Sequence, residues 1–192
     1  MNTNYKIITL TGPSGSGKTT LAKEILKDSD YKLITSTTTR DPRPTDLEGE
    51  YEHILTSAFA LNEAEKTFLW SVNYANKLYG TRKLYLNSAL EHDHTSIALL
   101  VPDTVKILYR HLKQQNKQNL LLPIYINGLD EQTLRQRIQD RAGTTNNLKK
   151  RLATIEEWNT QARYENEVPY KFITNNTTIQ EALEQIFDYM KN

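Results

Sequence analysis

The sequence predicts an α/β domain, a parallel sheet with helices on both faces. Three observations carry this. Short β-branched apolar runs alternate along the chain with segments of helical apolar spacing. The first run ends in a glycine-rich turn that opens into a helix. The 192 residues are 38% hydrophobic and 24% charged, enough for one core with small inserts and too apolar for a disordered chain.

The elements follow in order. Residues 5–10 read as a buried strand, and 18–27 as a helix with Leu21, Ala22, Ile25 and Leu26 on one face. A second strand is expected at 31–35. The unbroken apolar run 97–101 suits a central parallel strand. A helix should follow over 103–115, with Val105, Leu108 and Leu112 inward. A short strand is expected at 124–126, with Pro123 at its start. Helices are predicted over 130–140, with Leu134 and Ile138 inward, and over 148–165. A last strand is expected at 170–174. In the closing helix Ile179, Ala182, Leu183, Ile186, Phe187 and Met190 share a face, and Thr178 with Glu181 fits a capping box. Two stretches stand outside the alternation and read as inserts at the mouth of the sheet: 36–90, rich in Thr, Arg and Tyr, and 135–151, with arginines around a glycine loop. The expected organisation is one domain over 1–192, with its core in 1–35, 91–134 and 152–192.

Composition excludes several functions. Lys and Arg number 24 against 23 acids, a net charge of +1, so the footprint of a nucleic-acid-coating protein is missing. With no cysteine, disulfide scaffolds, thiolate zinc sites and cysteine nucleophiles are ruled out. No apolar run approaches the ~20 residues of a membrane helix, and the N-terminus lacks the pattern of a secretory signal. A soluble cytoplasmic protein without nucleic-acid or membrane partners is expected. The sequence does not set the oligomeric state.

Residues 12–19, GPSGSGKT, match the spacing G-x-x-x-x-G-K-S/T. Gly12, Gly15 and Gly17 allow the backbone to turn its N–H groups toward one anion, and the following helix adds its positive end. Lys18 is placed to reach phosphate oxygens as a point charge, and the Thr19 hydroxyl to ligate Mg²⁺. Ser14, Ser16 and Thr20 belong to the same phosphate-binding run. With a strand before and a helix after, this is a P-loop NTPase fold, with ATP as the expected ligand.

The residues beyond the loop narrow the reading. Ser36-Thr-Thr-Thr-Arg40-Asp-Pro-Arg43-Pro, then Glu48-Gly49-Glu50-Tyr51, Tyr79-Gly80-Thr81, and the late Phe172-Ile-Thr-Asn175-Asn176 together resemble the guanylate kinase family over nearly the whole chain. The resemblance implies that Arg40 and Arg43 hold the phosphate of an acceptor nucleotide, with Tyr51 and Tyr79 donating hydroxyl hydrogen bonds to it. Arginine forks match a phosphate dianion in bidentate fashion, although an exposed basic loop and half-buried packing tyrosines fit the same residues. It further implies that Ser36 and Thr81 contact guanine. The segment 135–151 becomes a lid, with Arg137 on ATP and Arg141 and Arg151 supplying charge over the moving phosphoryl group; a solvent-facing charged helix is the other reading. Asn175 and Asn176 fall on the adenine side, where a plain turn also favours Asn.

Three positions depart from the family pattern. Trp70 stands where a carboxylate usually reads the guanine edge, and Leu99 and Val101 stand at usual Asp positions near magnesium and the base. A Trp cannot accept a hydrogen bond from a base, though it can stack on one. Asp103, just beyond the strand, could supply a Mg²⁺-shell carboxylate or simply favour the start of the next helix. The expected activity is transfer of the ATP γ-phosphoryl group to GMP or dGMP with Mg²⁺. Alternatives are a kinase of the same fold for another phosphate acceptor and a nucleotide-binding module without catalysis. A carboxylate from elsewhere, such as Glu63 or Glu65, would restore the guanine reading.

Overall fold

The computed structural model describes residues 3–74, 76–127, 132–133, 155–176 and 178–191. The first strand, β1 (Ile7–Thr11), is buried along its whole length, as its unbroken apolar and threonine run requires. It leads through the glycine loop into α1 (Lys18–Ile25), which buries Leu21, Ala22 and Ile25. Four further strands join β1 in one sheet: β2 (Tyr31–Leu33), β7 (Thr95–Leu99), β8 (Leu121–Asn127) and β9 (Lys171–Thr174). The order is β2-β7-β1-β8-β9, and every pairing is parallel. Because β1 is central, the chain leaves it to one side and later returns to the other. The loop after β1 therefore opens at a switch point of the sheet, where ligands of such folds collect.

The second stretch, 36–90, builds a separate four-stranded sheet from β3 (Ser36–Thr38), β4 (Tyr51–His53), β5 (Phe68–Tyr74) and β6 (Lys77–Arg82). Its order is β4-β3-β6-β5. Helix α2 (Thr56–Ala64) lies between β4 and β5, and α3 (Lys83–Glu91) follows β6. The two sheets share a core in which Trp70 packs with Ile7, Ile34, Leu86, Ala98, Leu100 and Val105. The other core lies under α1 and the closing helix and gathers Ile8, Leu10, Leu21, Ile97 and Ile124.

Helix α4 (Pro102–Gln114) starts with Pro at its first position and runs one residue ahead of the expected 103–115. Strand β8 begins at Leu121, three residues before the predicted start, and Pro123 sits inside it opposite Thr9. The strand tolerates the proline because β9 pairs only from Ile124 onward, so the missing N–H falls ahead of that ladder. Residues 155–163 form α5, inside the predicted 148–165. The last helix, α6 (Ile179–Lys191), is capped as expected, since Thr178 Oγ1 accepts the Glu181 N–H at 3.2 Å. Ile179, predicted inward, is 42% exposed because it precedes the buried stripe of Ala182, Leu183, Ile186 and Met190. Among the described residues no helix is long and apolar enough to cross a membrane.

Candidate active site

The loop between β1 and α1 turns on glycines in the left-handed region, Gly12 at φ 151°, Gly15 at 86° and Gly17 at 96°. Two of them are also required by space. A Cβ on Gly12 would stand 2.8 Å from the Ile126 carbonyl oxygen, and one on Gly17 would collide with Asn175 Nδ2. Lys18 Nζ donates to the carbonyls of Gly12 at 2.6 Å and Pro13 at 2.9 Å, so its charge is folded over the loop. The Ser16 hydroxyl is buried with no hydrogen-bond partner among the described residues. That orphaned donor, the glycine turns and the held ammonium are the features an anion cradle needs, and a triphosphate tail fits them. Ser14, Thr19 and Thr20 are half-buried on the same segment.

Asn175 lies at the end of β9 and is 7% exposed. Its amide Nδ2 donates one N–H to the Ser16 carbonyl at 2.8 Å, which ties the residue to the loop. Asn176 is exposed. The carboxylate expected near the metal, Asp103, stands in the first turn of α4, where a negative charge suits the helix dipole. Its Oδ1 accepts Gln161 Nε2 at 2.6 Å, which turns it toward α5, where it lines an open cavity with Glu156, Glu157 and Thr160. No described contact joins it to Thr19. A cation at the loop would find the Thr19 hydroxyl, and among the described residues no cluster of three metal-ligating side chains supplements it.

The second sheet carries the other group. Arg40 follows β3, is 6% exposed and pairs through Nη2 with Asp46 Oδ1 at 2.8 Å. Its Nη1 donates to the Asp41 carbonyl at 2.7 Å, and its guanidinium carbon lies 4.8 Å from the centre of the Tyr51 ring. Burial opposes the charge on Arg40, but the hydrogen bond and charge of Asp46 outweigh it and raise its pKa. Tyr51 stands edge-on to Tyr79 at 6.2 Å, which gathers Arg40, Tyr51 and Tyr79 in one place. Burial, then the charge of the adjacent Glu50 carboxylate, pushes the Tyr51 phenol well above its ordinary range, so it stays a neutral donor. The Arg43 side chain is exposed, and its backbone N–H donates to Asp46 Oδ2 at 2.8 Å. Asp46, Glu50 and His53 were not anticipated as members of this group. The signal available was an acid three residues after Arg43 in a Pro-rich turn.

The family model described as guanylate kinase matches residues 4–192. The chain belongs to the guanylate kinase family. The guanylate kinase of Prochlorococcus marinus is 35% identical over 156 residues, covering 79% of this chain and 81% of that protein. That of Methylobacillus flagellatus is 33% identical over 181 residues, covering 92% and 84%. The fold matches the crystal structure of the guanylate kinase from Anaplasma phagocytophilum with a TM-score of 0.73 at 16% identity, over all of this chain and 87% of that one.

The residues expected on the base side lie on β3, β5 and β6. Ser36 Oγ and Thr81 Oγ1 lie 3.3 Å apart and share one hydrogen bond, which leaves one of the two hydroxyls with its O–H still to donate; Ser36 is half-buried and Thr81 is 1% exposed. Trp70 pairs with Thr81 across the β5–β6 ladder. Trp70 is 6% exposed and belongs to the core shared by the two sheets, which favours packing over stacking on a base. Glu63 accepts a hydrogen bond from Ser71 and is exposed, and Glu65 is exposed at the end of α2. Leu99 packs against the core beneath α1. Val101 precedes α4 as its N-cap. The three arginines expected in the lid, Arg137, Arg141 and Arg151, lie outside the described residues.

Proposed function

We propose that this chain transfers the γ-phosphoryl group of ATP to the phosphate of GMP or dGMP, with Mg²⁺. The observation that carries the reading is the glycine loop with its held Lys18 and buried, unpartnered Ser16 hydroxyl, in a chain whose family match spans it almost end to end. The loop N–H groups and Lys18 hold the donor phosphates. Arg40 and Arg43 hold the acceptor phosphate, and Tyr51 and Tyr79 donate to it without adding charge. An acceptor phosphate oxygen forms the new bond to the γ-phosphorus as the bridging oxygen to the β-phosphate departs with its electron pair. That acceptor is ionised near neutral pH, so no side chain has to take a proton. The work left to the protein is alignment and charge neutralisation. When bound, Mg²⁺ supplies charge to the same oxygens, with Thr19 as its ligand from this chain. Arg137, Arg141 and Arg151, which fall where the family carries its lid arginines, add positive charge.

The test is ATP turnover against a panel of phosphate acceptors, with Lys18→Ala as control. GMP and dGMP should be the best acceptors, and Lys18→Ala should slow turnover ~100-fold or more, the cost of one oriented charge. Near-normal turnover by that variant would refute the assignment. A second reading, a kinase of this fold for another small phosphate acceptor, is favoured by the apolar Trp70, Leu99 and Val101. The panel separates the two directly, because that reading requires an acceptor other than a guanine nucleotide to be used best.

A further inference from the structure

We propose that Asp46 is the positioning residue of the acceptor seat, one carboxylate that sets both acceptor arginines against the incoming phosphate. The inference rests on the reading that Arg40 and Arg43 hold that phosphate. Each carboxylate oxygen has its own task. Oδ1 takes the Arg40 guanidinium at 2.8 Å, and Oδ2 takes the Arg43 backbone N–H at 2.8 Å. The turn closes reciprocally, since the Asp46 N–H donates back to the Arg43 carbonyl at 3.0 Å. The side chain of one arginine and the main chain of the other are thereby tied to the same three-atom group.

Arg40 is restrained from every side. Nη1 is held by the Asp41 carbonyl, the guanidinium lies over the Tyr51 ring, and His53 Nδ1–H donates to the Arg40 carbonyl at 2.7 Å. His53 Nε2 faces Asp46 Oδ2 from 3.8 Å. A guanidinium has five N–H donors, and the two terminal nitrogens here each spend one. The remaining donors are fixed in direction before any ligand arrives. An arginine immobilised in advance does not lose its rotamer freedom on binding, which is where a preorganised seat gains affinity.

Charge alone argues the other way, and this makes the idea testable. Asp46 subtracts a positive charge from a seat meant for a dianion. If it only competed with the phosphate for Arg40, removing its charge would tighten acceptor binding. A carboxylate fastened to the main chain of its own turn is not built to swing out, so it should act by orientation. Asp46→Asn is expected to raise the KM for GMP about tenfold, the loss of one charged hydrogen bond, and to leave the KM for ATP within about twofold. Calorimetry with GMP alone should show the same weakening, and Asp46→Glu should recover part of it. In an Arg40→Lys background, where the fork is already lost, Asp46→Asn should add little.

A GMP KM that is unchanged or lower in a folded Asp46→Asn protein would overturn the proposal. If that variant does not fold, Asp46→Glu decides alone: it keeps the charge but displaces the carboxylate, so a weakened GMP and unaltered ATP support the proposal and unaltered GMP overturns it. The underlying reading fails separately. Should Arg40→Ala leave GMP binding intact, Arg40 is not in the acceptor seat. Should Arg40→Ala weaken GMP while Asp46→Asn does not, the seat stands and only the positioning role falls.

Discussion

Asn175 meets the Ser16 carbonyl from 159 positions away in the chain. The contact is buried, and a Cβ on Gly17 would strike the same amide nitrogen. The phosphate loop is therefore shaped by the end of β9 as well as by its own glycines. Asn175→Ala leaves the Ser16 carbonyl buried without its donor, a loss of ~1–3 kcal/mol if none of it is recovered by water. The KM for ATP should rise about tenfold. GMP, on the other sheet, should be almost unaffected, which steady-state kinetics with each substrate varied in turn will show. Gly17→Ala suffers both the collision and a left-handed φ of 96°. It should lose more than ~100-fold in turnover, and adding Asn175→Ala should relieve only the collision. The loop was legible because its chemistry is local: glycine spacing, a lysine and a hydroxyl in eight consecutive residues. Asn175 was visible as a candidate but not in its role, since nothing local says that its amide faces Ser16. Asp46 went unseen because its value comes from bonds to two residues that were themselves noticed only for phosphate.

Between elements, α4 is clasped to the turn after α5. Lys106 Nζ lies 3.0 Å from Glu165 and 3.7 Å from Glu167, and Arg110 takes Glu167 in a fork at 2.8 to 3.0 Å. Burial works against the charge of Glu165, but the Glu167 backbone N–H and the Lys106 ammonium more than offset it and hold its carboxyl below the usual glutamate range. A depressed carboxyl stabilises the fold fully above its unfolded pKa and ceases to do so as the pH falls through its folded value. Glu165→Gln should therefore cost about 1–2 kcal/mol near pH 7. The gap between the variant and the parent should close as the pH drops below the ordinary glutamate range, when both carry a neutral side chain. Urea denaturation at pH 7 and in acid measures both ends. A gap that persisted in acid would mean that shape rather than charge makes the clasp. Element identity was legible wherever periodicity was strong, as in α4 and α6 with their buried stripes. It failed at β8, where Pro123 suggested a boundary and the absence of a β9 partner ahead of Ile124 made the proline harmless. It also missed that β3 and β4 pair in parallel, an arrangement that depends on how residues 39–50 loop back.

At the scale of the whole molecule, the two sheets are separate hydrogen-bonded ladders joined through side chains. Trp70 is the largest side chain of the second sheet in the shared core, with Leu100 from the β7–α4 connection, Val105 from α4, and Leu86 and Ala89 from α3 around it. The family resemblance sets Trp70 at a position where a carboxylate is usual. It could not show that Trp70 sits in the core where the two sheets meet, because that depends on packing among segments distant in the chain. The two possibilities separate cleanly on substitution. A ring used for packing should cost ~3–5 kcal/mol when cut to alanine, by lost burial plus the cavity left behind. Trp70→Ala should then show a much lower urea midpoint, while the folded fraction retains a GMP KM within a few-fold of the parent. Trp158 remains as a fluorescence reporter in that variant. Trp70→Phe, which keeps much of the apolar volume, should recover most of the stability. A Trp70→Ala protein with an unaltered midpoint and a strongly raised GMP KM would instead put the indole against the acceptor. The guanine nucleotide would then be recognised by stacking on the indole.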